Sequence, residues 1–320
     1  MTKLAPAGSR FGANSPGRFN DRIFRGTTRV SAWVLIAIIV GLGVMLVLGS
    51  LQAFREFGVI PFVTGTTWDP VHDVYGALPY IIGTLLSSGI ALVLATPVAI
   101  LTAIYLSELA PRRIAIPLTF LIELIAAIPS VVIGLWGMYI LTPFLKGTVE
   151  AWIIGLFGDI PIFAGPPLGI GLFAAGVILA IMIVPTIVSV SREVITSVPA
   201  SQREAMYALG ATRWEVVTKA VLPAARSGIV GAVILGLGRA LGETMAVTMV
   251  IGNGQNIPHS LFDQAQTIAS KIATTFNEAA LGLQTSSLIA LGLILLVITV
   301  GLNIIARLLV WRTAGPLGNR

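Results

Sequence analysis

The chain has 320 residues, 56% of them hydrophobic and only 11% charged, with a mean hydropathy of +0.93. So few polar side chains cannot cover a water-facing surface, which excludes a soluble globular protein and leaves the lipid bilayer as solvent. With no cysteine, disulfides, thiol catalysis and thiolate metal sites are excluded, and the net charge of +6 reflects membrane topology better than it reflects a nucleic-acid surface.

In chain order, residues 1–29 form a cytoplasmic basic tail holding Lys3, Arg10, Arg18, Arg22, Arg25 and Arg29; within it residues 5–17, rich in Pro, Gly and Ser, read as disordered. The apolar run 30–51 exceeds the ~20 residues that span hydrocarbon. It is too long for a signal-peptide core and reads as a retained first transmembrane helix. Residues 52–79 are an extracytoplasmic segment in which Trp68 and Tyr75 read as interfacial anchors. That segment is either plain loop structure or a docking surface for an external partner.

Residues 80–312 hold the remaining five spans. Three are the charge-free runs 80–107, 168–191 and 281–306; the other two carry isolated charges, 114–145 with Glu123 and 222–253 with Arg239 and Glu243. A Gly- and Pro-rich extracytoplasmic loop, 146–167, and a polar loop, 196–221, interrupt them, and residues 313–320 form a second cytoplasmic tail. Cytoplasmic loops retain Lys and Arg. Arg112, Arg113, Arg192, Arg203, Arg213, Lys219, Arg307, Arg312 and Arg320 fall on the same side as the basic tail, against Arg55, Lys146 and Lys271 opposite, so both termini read as cytoplasmic. The tail either sets this topology or also touches anionic lipid. His72 and His259 stand alone in loops and lack ligand spacing. The expected architecture is an all-α membrane protein with six transmembrane helices.

The polar loop is the most informative stretch. Ser201 and Glu204 have capping-box spacing, Gly210 is a helix stop, and Thr212 with Glu215 repeats the box at once, predicting helix, glycine turn, helix. Pro223 stands where the second helix meets the next span. On spacing alone this is either a well-capped connecting loop or a rigid elbow on which a soluble machine pushes.

EAMYALG followed by KAVLP resembles the cytoplasmic EAA loop of ABC-importer permeases, with Glu204, Ala205, Gly210, Leu222 and Pro223 at the matching positions. Met206 replaces the second alanine and Ala220 stands at the usual isoleucine, changes of packing size rather than of the elbow. The segments WDPVHDVYGALPYIIGTL from Trp68, ELIAAIPSVVIGLWG from Glu123, AAGVILAIMIVPTI from Ala174 and GLGRALGETMAVTMVIGN from Gly236 narrow the likeness to the PstC family of phosphate-import permeases, over nearly everything beyond the first thirty or so residues. The resemblance implies a type I ABC-importer permease fold in the bacterial inner membrane. It implies a homologous second permease (PstA-like), two copies of an ATP-binding subunit (PstB-like), and a phosphate-binding protein (PstS-like). It also makes Glu204, Ala205 and Gly210 the core contacts with the ATP-binding subunit, flanked by Leu222 and Pro223.

The intramembrane charges carry information of their own. An arginine at the bilayer centre costs about 2.5–3.5 kcal/mol on insertion scales, so Arg239 must face protein or a wet cavity. Arg239 and Glu243 are four apart, on one face of a continuous helix, though in the less favourable order for a pair. They form either an ion pair sealing the bundle or an anion path in which the planar guanidinium binds an oxyanion and Glu243 restrains it in the closed state. Gly238 and Gly242 have the spacing of close helix packing. Glu123, six residues before the expected kink at Pro129, pairs with Arg239 or bonds to a neighbouring helix. As a third candidate for the path, Glu123, like Glu243, would accept the proton that phosphate keeps at neutral pH and sulfate lacks, or an external binding protein supplies all the selectivity.

No GxxxxGK[ST] loop, HExxH or nucleophile elbow is present, so hydrolysis is expected in a partner, and no cofactor or metal is expected. A permease for sulfate or molybdate is the alternative within transport. An autonomous proton-coupled carrier, with Glu123 and Glu243 as proton sites, is the alternative from another class. A mere scaffold would leave the cost of Arg239 unexplained.

Overall fold

The computed structural model describes residues 17–313, so Lys3, Arg10, Arg320 and all but the last residue of the stretch 5–17 lie outside the described residues. Six of its helices are long and apolar enough to cross a membrane. Helix α1 (Gly17–Phe57) belongs through Leu48 to one compact unit, in which its apolar side chains from Ile23 onward are largely exposed. Everything from Gly49 onward forms the second unit.

In that second unit, the end of α1 is followed by α2 (Val59–Thr64), a two-residue antiparallel ladder β1 (Trp68–Asp69) with β2 (Val74–Tyr75), and the long helix α3 (Leu78–Leu109), whose final turn, Tyr105–Leu109, is π-helical. Next come α4 (Arg112–Ala127) and α5 (Ser130–Phe157), the latter interrupted by two π-helical turns. Helix α6 (Leu172–Ser197) is followed by α7 (Ala200–Ala208), α8 (Arg213–Gly242), α9 (Met245–Val250), α10 (Ile268–Thr275) and α11 (Leu283–Thr313).

The core is organised around α6, the most buried span, packed between α3 and α8. Between helices in lipid there is little hydrophobic drive, so small residues that let backbones approach must supply the packing. Ala91, Ala95, Ala99 and Ala103 recur every fourth residue along α3 and are fully buried. Gly176 receives the side chain of Ile90, Gly228 that of Val194 and Gly236 that of Ile187, each close enough that a β-carbon would collide. Gly83 is tighter still, since a β-carbon there would lie 2.3 Å from the carbonyl oxygen of Gln266, a backbone atom that cannot swing away. Gly83→Ala is therefore expected to destabilise the chain by about 1–3 kcal/mol, the usual cost of overpacking, read as a lower unfolding temperature in detergent.

A second apolar cluster joins Ala53, Phe62, Trp68, Tyr75, Tyr80, Ile268 and Leu291. The interfacial-anchor reading of Trp68 and Tyr75 is thus corrected: they are 6% and 3% exposed and stack edge-on at 4.8 Å. Their pairing in the β-ladder turns both rings inward, which sequence alone does not reveal. Lys271 joins this cluster, only 4% exposed, with Nζ 4.9 Å from the centre of the Trp68 ring and 5.3 Å from that of Tyr80. Among the described residues no carboxylate pairs with it, and burial pushes its ammonium down from 10.5 to about 8. Between those values the unfolded chain holds a proton that the folded chain lacks, so stability rises with pH across that window. Tyr75, raised to about 12 by burial, stays neutral there. The stability of the wild type relative to Lys271→Met is expected to increase from pH 8 to 10.5 in thermal unfolding; a difference that does not change with pH would show the ammonium to be solvated.

The two charge-bearing runs are not single helices. The run 114–145 breaks at Ile128 and Pro129, both extended with ψ of 129° and 137°, because the residue before proline is barred from helical conformation. The bilayer-length helix is then α5, not the expected run, and it extends well into the segment read as a loop, 146–167. The run 222–253 likewise breaks after Gly242.

Candidate functional site

Two features stand out, an exposed elbow and a broken helix. The elbow begins where α6 stops: Val198 is extended, with ψ 129°, and Pro199 follows. Pro199 itself is the N-cap of α7, so Ser201 lies inside the first turn and the expected Ser201–Glu204 capping box does not form. Pro199 starts the helix two residues before Ser201, and no side-chain cap bond forms there. Helix α7 ends as expected. Gly210 has φ +81°, the amide of Gly210 donates to Tyr207 O at 2.9 Å, and that of Ala211 donates to Met206 O at 3.1 Å. This paired arrangement satisfies the last carbonyls of a helix and requires a left-handed residue.

Thr212 and Glu215 then form the second capping box, with the Glu215 amide 3.4 Å from Thr212 Oγ1 and the Thr212 amide 3.0 Å from Glu215 Oε2. From Arg213 the chain does not pause at the next span. It runs without a break along α8 through a π-helical turn, Val217–Val221, that ends one residue short of Pro223. The wider turn accommodates a proline that lacks an amide and crowds the preceding turn. Glu204, Ala205 and Gly210 lie together on the exposed elbow and Pro223 is exposed, whereas Leu222 packs against the core. Tyr207, Leu209 and Trp214, which the motif alone did not single out, are 48%, 83% and 71% exposed beside them. Large apolar side chains bared around a polar elbow are the composition of a docking surface.

The broken helix holds Arg239 and Glu243. Glu243 caps α8 in an extended conformation, with ψ 128°, and its Oε1 accepts from the Ala246 amide at 3.4 Å at the start of α9. Arg239, in the last turn of α8, donates through Nη1 to Thr186 Oγ1 on α6 at 3.0 Å. No ion pair joins Arg239 to Glu243 among the described residues: the helix ends between them, so spacing by four no longer places them on one face. A cation in the last helical turn is favoured by the helix dipole. Its remaining donors have no protein partner among the described residues, and both charges are half-buried.

The close packing expected at Gly238 and Gly242 is absent too; nothing lies within 4 Å of a β-carbon built at either, so this face of α8 is open beside the guanidinium. Irregular backbone at membrane depth is tolerated where it lines a cavity or is buried in protein. Glu123 sits apart, exposed on α4, lining with Thr119, Ser189 and Arg192 a cleft with room for little more than a water molecule. It forms no ion pair with Arg239 among the described residues. Among the described residues no cluster of His, Asp or Glu could hold a metal ion.

Residues 95–315 match the family model for the binding-protein-dependent transport system inner membrane component. The chain is 48% identical over 302 residues to the phosphate transport system permease protein PstC of Mesorhizobium japonicum, covering 93% of this chain and 92% of that protein. It is 48% identical over 304 residues to the protein of the same name from Pasteurella multocida, covering 94% of each. In fold it resembles a chain of the bacterial alginate ABC transporter solved in complex with an alginate pentasaccharide-bound periplasmic protein, with a TM-score of 0.58, 19% identity and coverage of 92% of this chain and 99% of that one.

Proposed function

The chain belongs to the binding-protein-dependent transport system inner membrane component family, and from that membership we propose that it is the transmembrane permease subunit of an ATP-driven importer of inorganic phosphate. The observation that carries the substrate is the 48% identity, over more than nine-tenths of the chain, with two phosphate transport permeases. In this reading the chain hydrolyses nothing. It forms the anion path with a homologous second permease, which covers the open face of α8; two ATP-binding subunits seat on the elbow, and a phosphate-binding protein delivers substrate from outside. Both termini are cytoplasmic.

Phosphate entering the low-dielectric path replaces lost hydration with the free fork of Arg239, which donates parallel hydrogen bonds to two of its oxygens. Thr186 aims that fork, and Glu243, on the short link between α8 and α9, accepts the phosphate O–H, a contact that sulfate cannot make and that would repel it. ATP-driven movement of the elbow reaches Arg239 along one uninterrupted helix, α8. Glu123, which lines a separate small cleft beside Arg192, is left out of this path.

Reconstitution in proteoliposomes tests the proposal. Uptake of phosphate, and not of sulfate or molybdate, should require the ATPase, the second permease and the binding protein together, and native mass measurement should find one copy of this chain per complex. Uptake by this chain alone, or a functional homodimer of it, would refute the assignment.

A further inference from the structure

The elbow has to be tied to the spans if its movement is to be felt by them, yet α7 has no fully buried residue. Only Arg203 and Met206 on it are half-buried; every other residue of the helix is exposed. Met206 supplies a soft apolar contact with the core. Arg203 supplies directed ones. Its Nε donates to both carboxylate oxygens of Glu108, at 3.2 and 3.3 Å, and its Nη2 donates to Glu108 Oε1 at 2.6 Å. The same guanidinium reaches the end of α6, Nη2 donating to Ile195 O at 2.9 Å and Nη1 to Val198 O.

Ile195 O lies in the last turn of α6 and also accepts from the Val198 amide at 3.3 Å, Val198 is the extended cap of that helix, and a cation at this end meets the negative pole of the helix. Glu108 lies in the π-helical last turn of α3, which packs against α6. One side chain on the elbow therefore grips the ends of two spans. The pair is largely withdrawn from water, at 19% and 12% side-chain exposure, so it is screened far less than a surface ion pair.

We propose that Arg203 is a positioning residue for coupling: with Glu108 and the end of α6 it forms a clamp that stays closed through the transport cycle and makes the elbow, α3 and α6 move as one body. The clamp rests on the coupling role proposed above for the elbow. Arg203 is chosen over Lys because a point-charge ammonium cannot serve a carboxylate and two carbonyls in one plane. Its partner 95 positions away was invisible as a motif, since Glu108 lies outside the loop that carries the resemblance.

The experiment uses the full complex with its partners in proteoliposomes, carrying Arg203→Lys or Glu108→Gln in this chain. Expected is an uptake lower by about tenfold, the order a lost charged hydrogen bond gives, together with the loss of binding-protein stimulation of ATP hydrolysis. Basal hydrolysis and the amount of ATPase recovered with the permease should be unchanged, a split that a merely structural role does not produce. In a second arm the naturally cysteine-free chain carries Glu108→Cys with Arg203→Cys. After assembly, a short bifunctional thiol reagent should restore uptake, and a monofunctional one should not. Normal uptake by the single variants, failure of either to assemble with the ATPase, or inactivity of the bridged form would each overturn the clamp. Wild-type complex without ATP-driven uptake would overturn the transport assignment and the clamp with it; wild-type uptake alongside unaffected variants overturns the clamp alone.

Discussion

Arg239→Lys is expected to reduce phosphate uptake by about tenfold or more, although charge is conserved and the chain remains at normal abundance in the membrane. The reason is geometric. Arg239 is anchored at one nitrogen by Thr186 Oγ1, 3.0 Å away, and presents the rest of a planar fork to the open face of α8. A lysine keeps the charge but offers three donors at one point, losing both the anchor and the parallel bonds to an oxyanion. Donors held in advance around a developing contact in a dry site typically account for a hundredfold or more when one is removed, so tenfold is a modest expectation. Glu243→Gln should act differently, leaving uptake present while weakening discrimination between phosphate and sulfate, because an amide no longer repels the fully ionised anion. Counterflow and uptake assays with both anions separate these outcomes. If Arg239→Gln and Glu243→Gln each abolish uptake but the double substitution restores it fully, the two residues form a structural pair in another state of the cycle and the path assignment is wrong.

Gly210→Val is expected to release the ATP-binding subunit while leaving the chain inserted and folded. Gly210 has φ +81° and open space where a β-carbon would be, so the cost of substitution is purely conformational. A β-branched residue held in that region costs on the order of 1–3 kcal/mol, more than the exposed elbow can offset with its few contacts to the bundle. The turn would unwind, and the two bonds from Gly210 and Ala211 that close it would be lost. Tyr207 and Trp214, placed on either side of that turn, would no longer present one surface. Gly210→Asn, which tolerates left-handed backbone, should retain most activity. ATPase recovered per permease during purification, together with uptake, reads both variants; full retention and full uptake with valine would remove the elbow from the coupling pathway.

How much of this was legible beforehand differs by element. The number of bilayer-length helices follows from the apolar runs, because a helix in lipid must satisfy its own backbone and needs only length and low charge to be recognised. The third is displaced from its run, since the chain breaks at Ile128 and Pro129 and the helix resumes as Ser130–Phe157. Gly210 and the Thr212–Glu215 box were legible because they depend on the conformational preferences of one or two residues and on partners three positions away. The Ser201 cap is absent because a proline two residues earlier already starts the helix, a competition between two local signals that spacing does not rank.

The amino-acid sequence by itself determined the solvent of this protein, the number of its bilayer-length helices, the position of its elbow and the residues worth suspecting, since each of these depends on composition or on neighbours within one or two helical turns. Only the tertiary structure decided what those residues touch. Trp68 and Tyr75 face inward because a short ladder turns them there, Arg239 meets Thr186 rather than Glu243 because α8 ends between the two charges, and Arg203 finds Glu108 because α6 returns the chain to the end of α3. Such contacts join segments 53 and 95 positions apart. The free energy that selects them belongs to the packing of small residues between spans, which no local pattern records.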